Sequence, residues 1–329
     1  MPPPDTFLTG ATGFIGGTLL RRLVADGRRV AALVRTPEAA DAVRVLGAVP
    51  VRGDLREPDS LLDGMEGCPV VFHAAGVNAF CLRDPLEMMR VNIEGSVNVV
   101  RAAAGAGAAR VVYTSSAAAI GEAAGTVGSE GSQHRGSYHT WYERSKHEAE
   151  VAVVAEAARL GVEVVSVNPS SVQGPGRRSG TARILIGYLG GKLRFAVDTT
   201  LSIVFIDDCV EGHLRAETGG VPGERYLLNG SVLTVREAIE LLGEISGIRH
   251  RVRYLPGWTV RAAGAVVGGA ARLLRRDPAP FCGEMARALV HGHTYDGSRA
   301  TRELGLRYTD LRTALEETVA WLRTEGLAP

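Results

Sequence analysis

The chain has 329 residues, 45% hydrophobic and 22% charged, which predicts a globular protein of about two lobes and excludes a disordered chain. Lys and Arg (37) nearly balance Asp and Glu (36), so the net charge of +1 gives no basic footprint for nucleic acid. No apolar run reaches the roughly 18 residues of a membrane span, and no signal-peptide pattern opens the chain, so we expect a cytoplasmic protein.

The four cysteines are scattered along the chain. They stand at Cys68, Cys81, Cys209 and Cys282, without any CxxC or CxxH spacing. This pattern predicts neither a zinc site nor a disulfide framework, and it fits a reducing compartment.

Short apolar strands alternate with helices through the first half of the chain. The predicted strands are 5–9, 29–35, 49–52, 70–73, 110–114 and 162–167, and the predicted helices are 14–24, 37–46, 58–65, 85–104 and 140–159. Nearly continuous apolar strands indicate a sheet covered on both faces, so we predict an α/β fold with a Rossmann-type, doubly wound parallel sheet.

The alternation of strands and helices becomes irregular beyond residue 168. Further helices are predicted at 182–190, 234–246, 259–274 and 311–323, and the loops 121–137 and 174–181 are predicted to be mobile. We therefore predict a dinucleotide-binding domain over 1–168, with later returns near 200–230, and a smaller, mainly helical substrate lobe over most of 169–329.

Three glycines lie between the first strand and the first helix. Gly10, Gly13 and Gly16 form a G-x-x-G-x-x-G pattern, whose first interval is one residue longer than that of the usual dinucleotide fingerprint. Glycines here let the backbone approach a pyrophosphate at the positive end of the helix, although a tight turn alone would also need them. The strand, turn and helix order favours a bound dinucleotide.

Arg35 stands where an acidic residue would hold the ribose 2′-hydroxyl of NAD(H). A guanidinium suits a 2′-phosphate, so NADP(H) is preferred and NAD(H) remains possible. Asp54, after the third strand, is either a partner for the adenine amino group or a helix cap.

Tyr142 and Lys146 are four residues apart and so share one face of a predicted helix. A neighbouring ammonium favours the phenolate of a tyrosine and makes it a usable acid or base. Ser116 follows the fifth strand and is the candidate to hold a substrate oxygen. The pattern predicts hydride transfer at a carbinol or carbonyl carbon, with Tyr142 moving the proton.

Several motifs together carry a family resemblance. They are TGATGFIGG (9–17), FHAAG (72–76), VNIEGSVNVV (91–100), VYTSSAAAIG (112–121), YERSKHEAE (142–150), NPSSVQGPG (168–176), VDTTLSIVFIDDCVEGH (197–213) and DGSRATRELG (296–305). Over nearly the whole chain they resemble the extended short-chain dehydrogenase/reductase family, of the NAD-dependent epimerase/dehydratase type. The similarity is greatest to dihydroflavonol-reductase-like and hopanoid-associated epimerase-like members.

The resemblance implies site residues for this chain. The implied catalytic residues are Ser116, Tyr142 and Lys146, with Lys146 also bonding the nicotinamide ribose, and Ser115 is the less favoured serine. The expected cofactor-binding residues are Gly10, Thr12, Gly13, Phe14, Ile15, Gly16, Arg35, Asp54, Leu55, Ala74, Ala75, Gly76, Tyr142, Lys146 and Pro169. It also implies a homodimer through the helices 85–104 and 140–159.

The chain departs from the nucleotide-sugar enzymes of the family at two positions. Where they carry an Asn and an Arg that bind the nucleotide, this sequence has Ser171 and Leu201. A diphosphate without its arginine would be poorly held. We therefore expect a substrate without a phosphate and a solvated role for Arg177 and Arg178, although these two could bind an anion.

The remaining chemical signals are weak. His73 and the pair Asp207 and Asp208 are expected to be structural, and the HxH at His291 and His293 is too little for a metal site, so no metal is predicted. The stretch 258–274 is expected to pack in the small lobe, with an apolar pocket wall or a membrane surface as alternatives.

These observations predict an NADP(H)-dependent reductase or dehydrogenase acting on a small ketone, aldehyde or secondary alcohol. Alternatives are a nucleotide-sugar epimerase or dehydratase and, from another class, a non-catalytic NAD(P)-sensing protein, which would need no Tyr and Lys pair.

Overall fold

The computed structural model describes residues 3–276 and 281–329. In chain order these form β1 (Thr6–Thr9), α1 (Phe14–Ala25), β2 (Val30–Val34), α2 (Pro37–Val45), β3 (Val49–Arg52), α3 (Pro58–Met65), β4 (Val70–His73), α4 (Leu86–Gly105), β5 (Arg110–Thr114), a 3-10 helix (Ala117–Ile120), α5 (Trp141–Leu160), β6 (Glu163–Pro169), β7 (Ser171–Gln173), α6 (Ala182–Leu189), β8 (Phe195–Val197), β9 (Thr200–Phe205), α7 (Ile206–Gly219), β10 (Arg225–Leu228), β11 (Ser231–Thr234), α8 (Val235–Ser246), β12 (Arg253–Leu255), α9 (Gly257–Leu273), α10 (Gly283–His291), α11 (Ser298–Leu304) and α12 (Leu311–Thr324).

The main sheet has seven strands in the order β10-β6-β5-β4-β1-β2-β3, and all its pairs are parallel. Successive side chains of a strand point to opposite faces, so both faces of this sheet receive apolar residues. Leu8 and Val112 enter the core on one face, and Phe7 and Val111 enter the core on the other. The doubly wound parallel sheet predicted from the continuous apolar strands is confirmed.

Helices cover both faces of the sheet. On one face, α1 packs against α7, and Leu20, Leu23 and Val210 are buried there. On the other face, α4 packs against α3 and α5, with Val99 and Val153 buried between them and the sheet. The sheet is therefore the middle of three layers.

A smaller lobe has its own core, formed by α6, α8 and α12 around Leu189, Ile239 and Val319. It also carries short strands that the sequence did not predict. Strands β11, β9 and β7 form one small sheet, and β12 and β8 form another. These strands are only three to six residues long, too short for a clear hydrophobic period.

The loop 121–137 is packed rather than mobile, contrary to expectation. Glu122 is buried, and the carboxylate of Glu130 accepts a hydrogen bond from the Leu227 amide at 2.9 Å. The guanidinium of Arg225 donates to the main-chain oxygen of Glu130. The loop is thus held against β10, the outer strand of the sheet, by polar contacts. Because these contacts are polar, the loop sequence shows no hydrophobic periodicity.

The order of the strands reverses beside β1. The chain moves outward from β1 to β2 and β3, and then returns to place β4 on the other side of β1. In open α/β sheets, ligands bind at the carboxyl ends of the strands beside such a reversal. The loops after β1, β4 and β5 meet at this edge, and the candidate site lies there.

Candidate active site

The glycine turn after β1 leaves room for a ligand's phosphates. Gly10 has a φ of +77°, and a Cβ there would lie 2.7 Å from the backbone of Ala74 and Ala75. A Cβ on Gly16 would lie 2.2 Å from the carbonyl oxygen of Gly10. Only glycine lets the turn close this tightly.

The start of α1 suits an anion. Gly13 precedes the helix without any side-chain cap, and the first turn contains no acidic residue. Thr12 and Gly13 are exposed. The free N–H groups and the positive end of the helix therefore fit a pyrophosphate, as expected for a nicotinamide dinucleotide.

The segment after β4 borders this turn. The amides of Ala74 and Ala75 donate to the carbonyl and hydroxyl oxygens of Thr9. A Cβ on Gly76 would lie 3.9 Å from the Nζ of Lys146, so the segment runs from the glycine turn to that lysine. Of the other expected cofactor residues, Phe14 and Ile15 are partly buried in the first turn of α1, and Leu55 and Pro169 are buried.

Arg35 is exposed at the end of β2, next to a cavity of about 210 Å³. Thr36, Arg44 and Arg52 are among the residues that line this cavity. Asp54 is not the cap of α3, because that position is taken by Glu57. Its carboxylate instead accepts hydrogen bonds from Arg56, which lower the pKa of Asp54 despite partial burial, with a smaller contribution from Arg35.

The start of α5 is fixed by a buried polar network. The hydroxyl of Thr140 accepts a hydrogen bond from the Glu143 amide at 3.0 Å and so caps the helix. The Glu143 carboxylate accepts the His139 amide at 2.6 Å and pairs with Arg135. Tyr142 lies in this first turn, so its position is set by contacts on either side of it.

The pKa of Tyr142 is raised, contrary to the expectation that Lys146 lowers it. Burial raises this pKa, whereas the hydrogen bond to Ser116 and the charge of Arg177 oppose the shift. Phe80 meets the Tyr142 ring edge-on, with 5.5 Å between ring centroids. The phenol therefore keeps its proton at neutral pH.

Lys146 is buried and faces the end of β5. Its Nζ donates to the carbonyl oxygen of Thr114 at 2.8 Å and lies 5.2 Å from the centre of the Tyr113 ring. Burial lowers the pKa of Lys146 to about 8, although Glu150 acts in the opposite direction.

Asn92 is a positioning residue that the sequence analysis missed. Its side chain accepts the Val77 amide at 2.7 Å and donates to the Val77 carbonyl and to the hydroxyl of Ser145. Ser145 in turn donates to the carbonyl oxygen of Tyr142. The polar residue Asn92 among the mainly apolar buried residues of α4 is the signal that would have indicated it.

Arg177 lies at the site, and the solvated role expected for it is wrong. Its guanidinium lies 5.4 Å from the centre of the Phe14 ring, and burial lowers its pKa although Tyr142 opposes this. Arg178 is turned away, pairs with Glu325 and lies over the Trp321 ring. The second loop therefore brings one cation to the glycine turn.

The residues expected to be structural have structural contacts. His73 is fully buried between the hydroxyls of Thr9 and Ser96, and burial lowers its pKa to about 3. The carboxylate of Asp208 accepts the amide and the hydroxyl of Thr309 at 2.9 and 2.7 Å.

A buried cluster of titratable residues lies next to the start of α5. The Oε1 of Glu122 lies 2.7 Å from His293 Nδ1 and 3.1 Å from His291 Nε2. Burial raises the pKa of Glu122, but the hydrogen bond and charge of His293 outweigh it, and the pKa is lowered. The rings of His291 and His139 are 4.5 Å apart. The sequence could not indicate this grouping, because about 170 residues separate the carboxylate from the imidazoles.

Cys81 and Cys282 form a disulfide, contrary to the expectation from cysteine spacing. The two are separated by 201 residues, and the tertiary fold alone brings them together. Glu284, two residues later, accepts hydrogen bonds from the amides of Cys81 and Trp141. The start of α10 is thereby attached both to the loop after β4 and to the residue before Tyr142.

Comparison with known proteins assigns the chain to a family. Residues 6–228 match the model of the NAD dependent epimerase/dehydratase family. The chain belongs to this family. Its members resembling this chain include sterol demethylase protein B of Methylococcus capsulatus, 33% identical over 98% of this chain and 99% of that protein.

Two further relatives are named as reductases. A putative dihydroflavonol 4-reductase of Synechocystis is 32% identical over 97% of this chain and 95% of its own length. A 4-hydroxy-2-methyl-3-oxo-4-farnesyl-3,4-dihydroquinoline-1-oxide ketoreductase of Stigmatella aurantiaca is 32% identical over 91% of both chains. The family and these relatives identify an NAD(P)-dependent oxidoreductase of the extended short-chain type.

Solved structures share the fold over the full length. The crystal structure of gox2253 aligns with a TM-score of 0.86 at 29% identity, covering 99% of this chain and 100% of that one. MoeE5 in complex with UDP-glucose and NAD aligns with a TM-score of 0.75 at 25% identity, covering 98% of this chain and 99% of that one.

No helix among the described residues has both the length and the apolar character that crossing a bilayer demands.

The close approach of Gly16 to Gly10 gives a testable prediction. Gly16→Ala should lower the free energy of unfolding by about 1–3 kcal/mol, because its Cβ overpacks the turn, and it should weaken NADPH binding, measured by fluorescence titration. Gly269→Ala is the matched control, since a Cβ on that helical glycine meets nothing within 4 Å. Wild-type affinity in Gly16→Ala would contradict the phosphate cradle.

Proposed function

We propose that the protein is an NADP(H)-dependent reductase of ketones or aldehydes. The observation that carries the proposal is Tyr142, a protonated phenol bonded to Ser116 at the same sheet edge as the glycine turn. A phenol that keeps its proton at neutral pH is suited to give it to a carbonyl oxygen. The site is therefore equipped for carbonyl reduction.

Each residue of the site has its own role in the proposed reaction. When bound, the nicotinamide cofactor supplies or accepts the hydride. Ser116 holds the substrate oxygen and Tyr142 donates the proton to it. Lys146, charged below about pH 8, contributes a positive charge beside the nicotinamide end of the cleft. Asn92 orients this end of α5 through Ser145.

The preference for NADP(H) rests on Arg35 and its surroundings. The expected position of an acidic residue is occupied by an exposed cation, Arg35, next to a cavity whose lining includes Arg44, Arg52 and Asp41. Arg35 and Arg52 would bind a 2′-phosphate, whereas Arg44 is already paired with Asp41. Arg177 would hold the pyrophosphate from the other side of Phe14.

We propose a substrate without a phosphate group, in keeping with the ketoreductase named among the relatives. Ser171 shares a hydrogen bond with Thr181 at 2.6 Å, and Leu201 packs against the small-lobe core, so neither offers a nucleotide diphosphate a cation. A screen that follows NADPH absorbance with a panel of ketones tests this proposal. Turnover of UDP- or dTDP-sugars without net NADPH consumption would instead identify an epimerase or dehydratase.

Tyr142→Phe should lower the rate of carbonyl reduction by about 10²–10⁴-fold, the usual contribution of a general acid, while NADPH binding is retained. Steady-state kinetics and a fluorescence titration measure the two effects. Tyr254→Phe, which changes a tyrosine of the small lobe, should leave both unchanged. Equal rates in Tyr142→Phe and wild type would refute the assignment.

The same roles fix the sign of the pH dependence. The wild-type reduction rate should be level through neutral pH and fall as Lys146 loses its proton near pH 8, followed at higher pH by Tyr142. The reverse reaction, which needs the phenolate, should accelerate with pH.

Arg35→Glu should weaken NADPH binding by about 10–100-fold, since a charged hydrogen bond contributes roughly 1.5–3 kcal/mol. NADH binding should not weaken. Arg21→Ala, which removes an exposed cation from α1, is the control. A wild-type enzyme that binds NADH more tightly than NADPH would overturn the cofactor preference.

The homodimer through α4 and α5 and the boundary at residue 168 stay predictions. A cytoplasmic location also stays a proposal, and it requires the Cys81–Cys282 bond to be reduced or transient there, because cytosolic thiols are kept reduced.

A further inference from the structure

Glu122, His291 and His293 form a compact set of metal-ligating groups beside the proposed catalytic residues. One ligand atom from each lies within 4.8 Å of the others. Glu122 lies two residues after the 3-10 helix that follows Ser116. The ring of His291 lies 4.5 Å from that of His139, three residues before Tyr142, with the ring planes at 50°. The cluster is therefore linked by short chain segments to Ser116 and Tyr142, but it includes none of the proposed catalytic residues.

The carboxylate of this cluster is unusually buried. The side chains of Glu122 and His291 are only 1% and 4% exposed, whereas His293 is 31% exposed. The second carboxylate oxygen of Glu122, Oε2, is buried and has no hydrogen-bond partner among the described residues. A buried acceptor without a partner costs free energy unless something else binds it.

The two imidazoles favour the ionised form of this carboxylate, His293 more than His291. The guanidinium of Arg135 pairs with the carboxylate of Glu143 and donates a hydrogen bond to the main-chain oxygen of Glu122. Glu122 Oε1 is shared between two imidazoles. A cation at this point would neutralise the buried charge.

We propose that Glu122, His291 and His293 bind a divalent transition-metal ion of the zinc class. Two imidazoles and one carboxylate are donors that such ions accept, whereas magnesium and calcium prefer oxygen donors alone. Donors about 2.0–2.2 Å from a common ion lie roughly 3–3.5 Å from one another, close to the 2.7 and 3.1 Å found here. Three protein ligands leave a coordination position for water or a substrate oxygen.

The test uses the full-length protein without a histidine tag, dialysed against EDTA and titrated with Zn²⁺ by calorimetry and with Co²⁺ by visible absorbance. We expect one ion per chain and at least a tenfold loss of affinity in His293→Ala and Glu122→Gln. His250→Ala, which removes an exposed histidine of the small lobe, should bind as wild type. His293→Ala keeps the test decisive if Glu122→Gln fails to fold, because His293 is the most exposed ligand.

Cysteine thiols must be excluded as the source of binding, since Cys81, Cys282 and Glu284 also lie close together. Binding should persist in the Cys81→Ser, Cys282→Ser double variant. The proposal is overturned if wild-type protein takes up no stoichiometric Zn²⁺, if His293→Ala binds equally well, or if the double variant loses the ion.

An independent observation concerns α9 and the residues around it. From residue 245 to residue 276 the chain contains seven arginines and no acidic residue. Only Val260, Gly264 and Ala271 of α9 are buried, and the helix packs on α10. Nearly all of the remaining surface of α9 faces solvent, so the packed position expected for this stretch is wrong for most of its side chains.

The exposed side of α9 is apolar as well as basic. Trp258, Val266 and Leu273 are 72%, 71% and 85% exposed, and Leu274 is 64% exposed. Arg261, Arg272, Arg275 and Arg276 are exposed on the same helix or directly after it. We call these eight residues the α9 surface.

We propose that the α9 surface binds the headgroup region of an anionic lipid bilayer. Large apolar side chains flanked by arginines are the composition of helices that lie in a membrane interface. A second copy of the chain is disfavoured as the occupant, because a two-fold interface would bring the arginines of two α9 helices together. The helix lies on the membrane and does not span it.

Sedimentation with vesicles tests this proposal. The protein should bind vesicles that contain phosphatidylglycerol, bind pure phosphatidylcholine at least tenfold more weakly, and be released by salt. The Val266→Asp, Leu273→Asp double variant should lose at least tenfold in binding, whereas Val45→Asp, at an apolar residue 86% exposed on α2, should not. Equal binding by the double variant, no binding by wild type, or dimerisation abolished by the double variant would overturn the proposal.

Discussion

The candidate site depends on one constraint: the strands of the main sheet are all parallel, so their carboxyl ends lie at the same edge. Parallel strands covered by helices must be connected through crossovers, and each crossover begins with a loop at the carboxyl end of a strand. Three such loops form the site: the glycine turn follows β1, the segment that begins at Ala74 follows β4, and the loop with Ser116 follows β5. Apolar burial therefore brings together polar residues that are far apart in the sequence.

The electrostatics of the site follow from the same burial. Low water access raises the pKa of Tyr142 and lowers that of Lys146, so the two pKa values move apart and the phenol keeps its proton above the pH at which the ammonium loses its own. The ammonium is bound by the carbonyl of Thr114. In this arrangement the phenol is an acid at neutral pH, and conversion to a base requires a change of pH or of the surrounding charges.

Much of the fold could be predicted because its signals are local. The strands β3, β4 and β5 and the helix α3 begin and end at the predicted residues, since continuous apolar runs and Pro or Gly boundaries are encoded within a few residues. The predicted site residues Ser116, Tyr142 and Lys146 likewise rest on short motifs of the sequence. Contacts across the chain were not found: the pairing of Glu122 with His291 and His293, the Cys81–Cys282 bond and the placement of Arg177 over Phe14 each join segments brought together only by tertiary packing.

The position of β10 has a consequence for how the protein can be divided. This strand follows three strands of the small lobe in the sequence, yet it completes the main sheet beside β6. Cutting the chain after β6 would remove β10 and leave the backbone N–H and C=O groups of β6 unpaired at the edge of the sheet. Such an exposed edge strand can pair with strands of other chains and cause aggregation. The two lobes alternate along the polypeptide, so neither corresponds to a single continuous segment that could be moved to another protein intact.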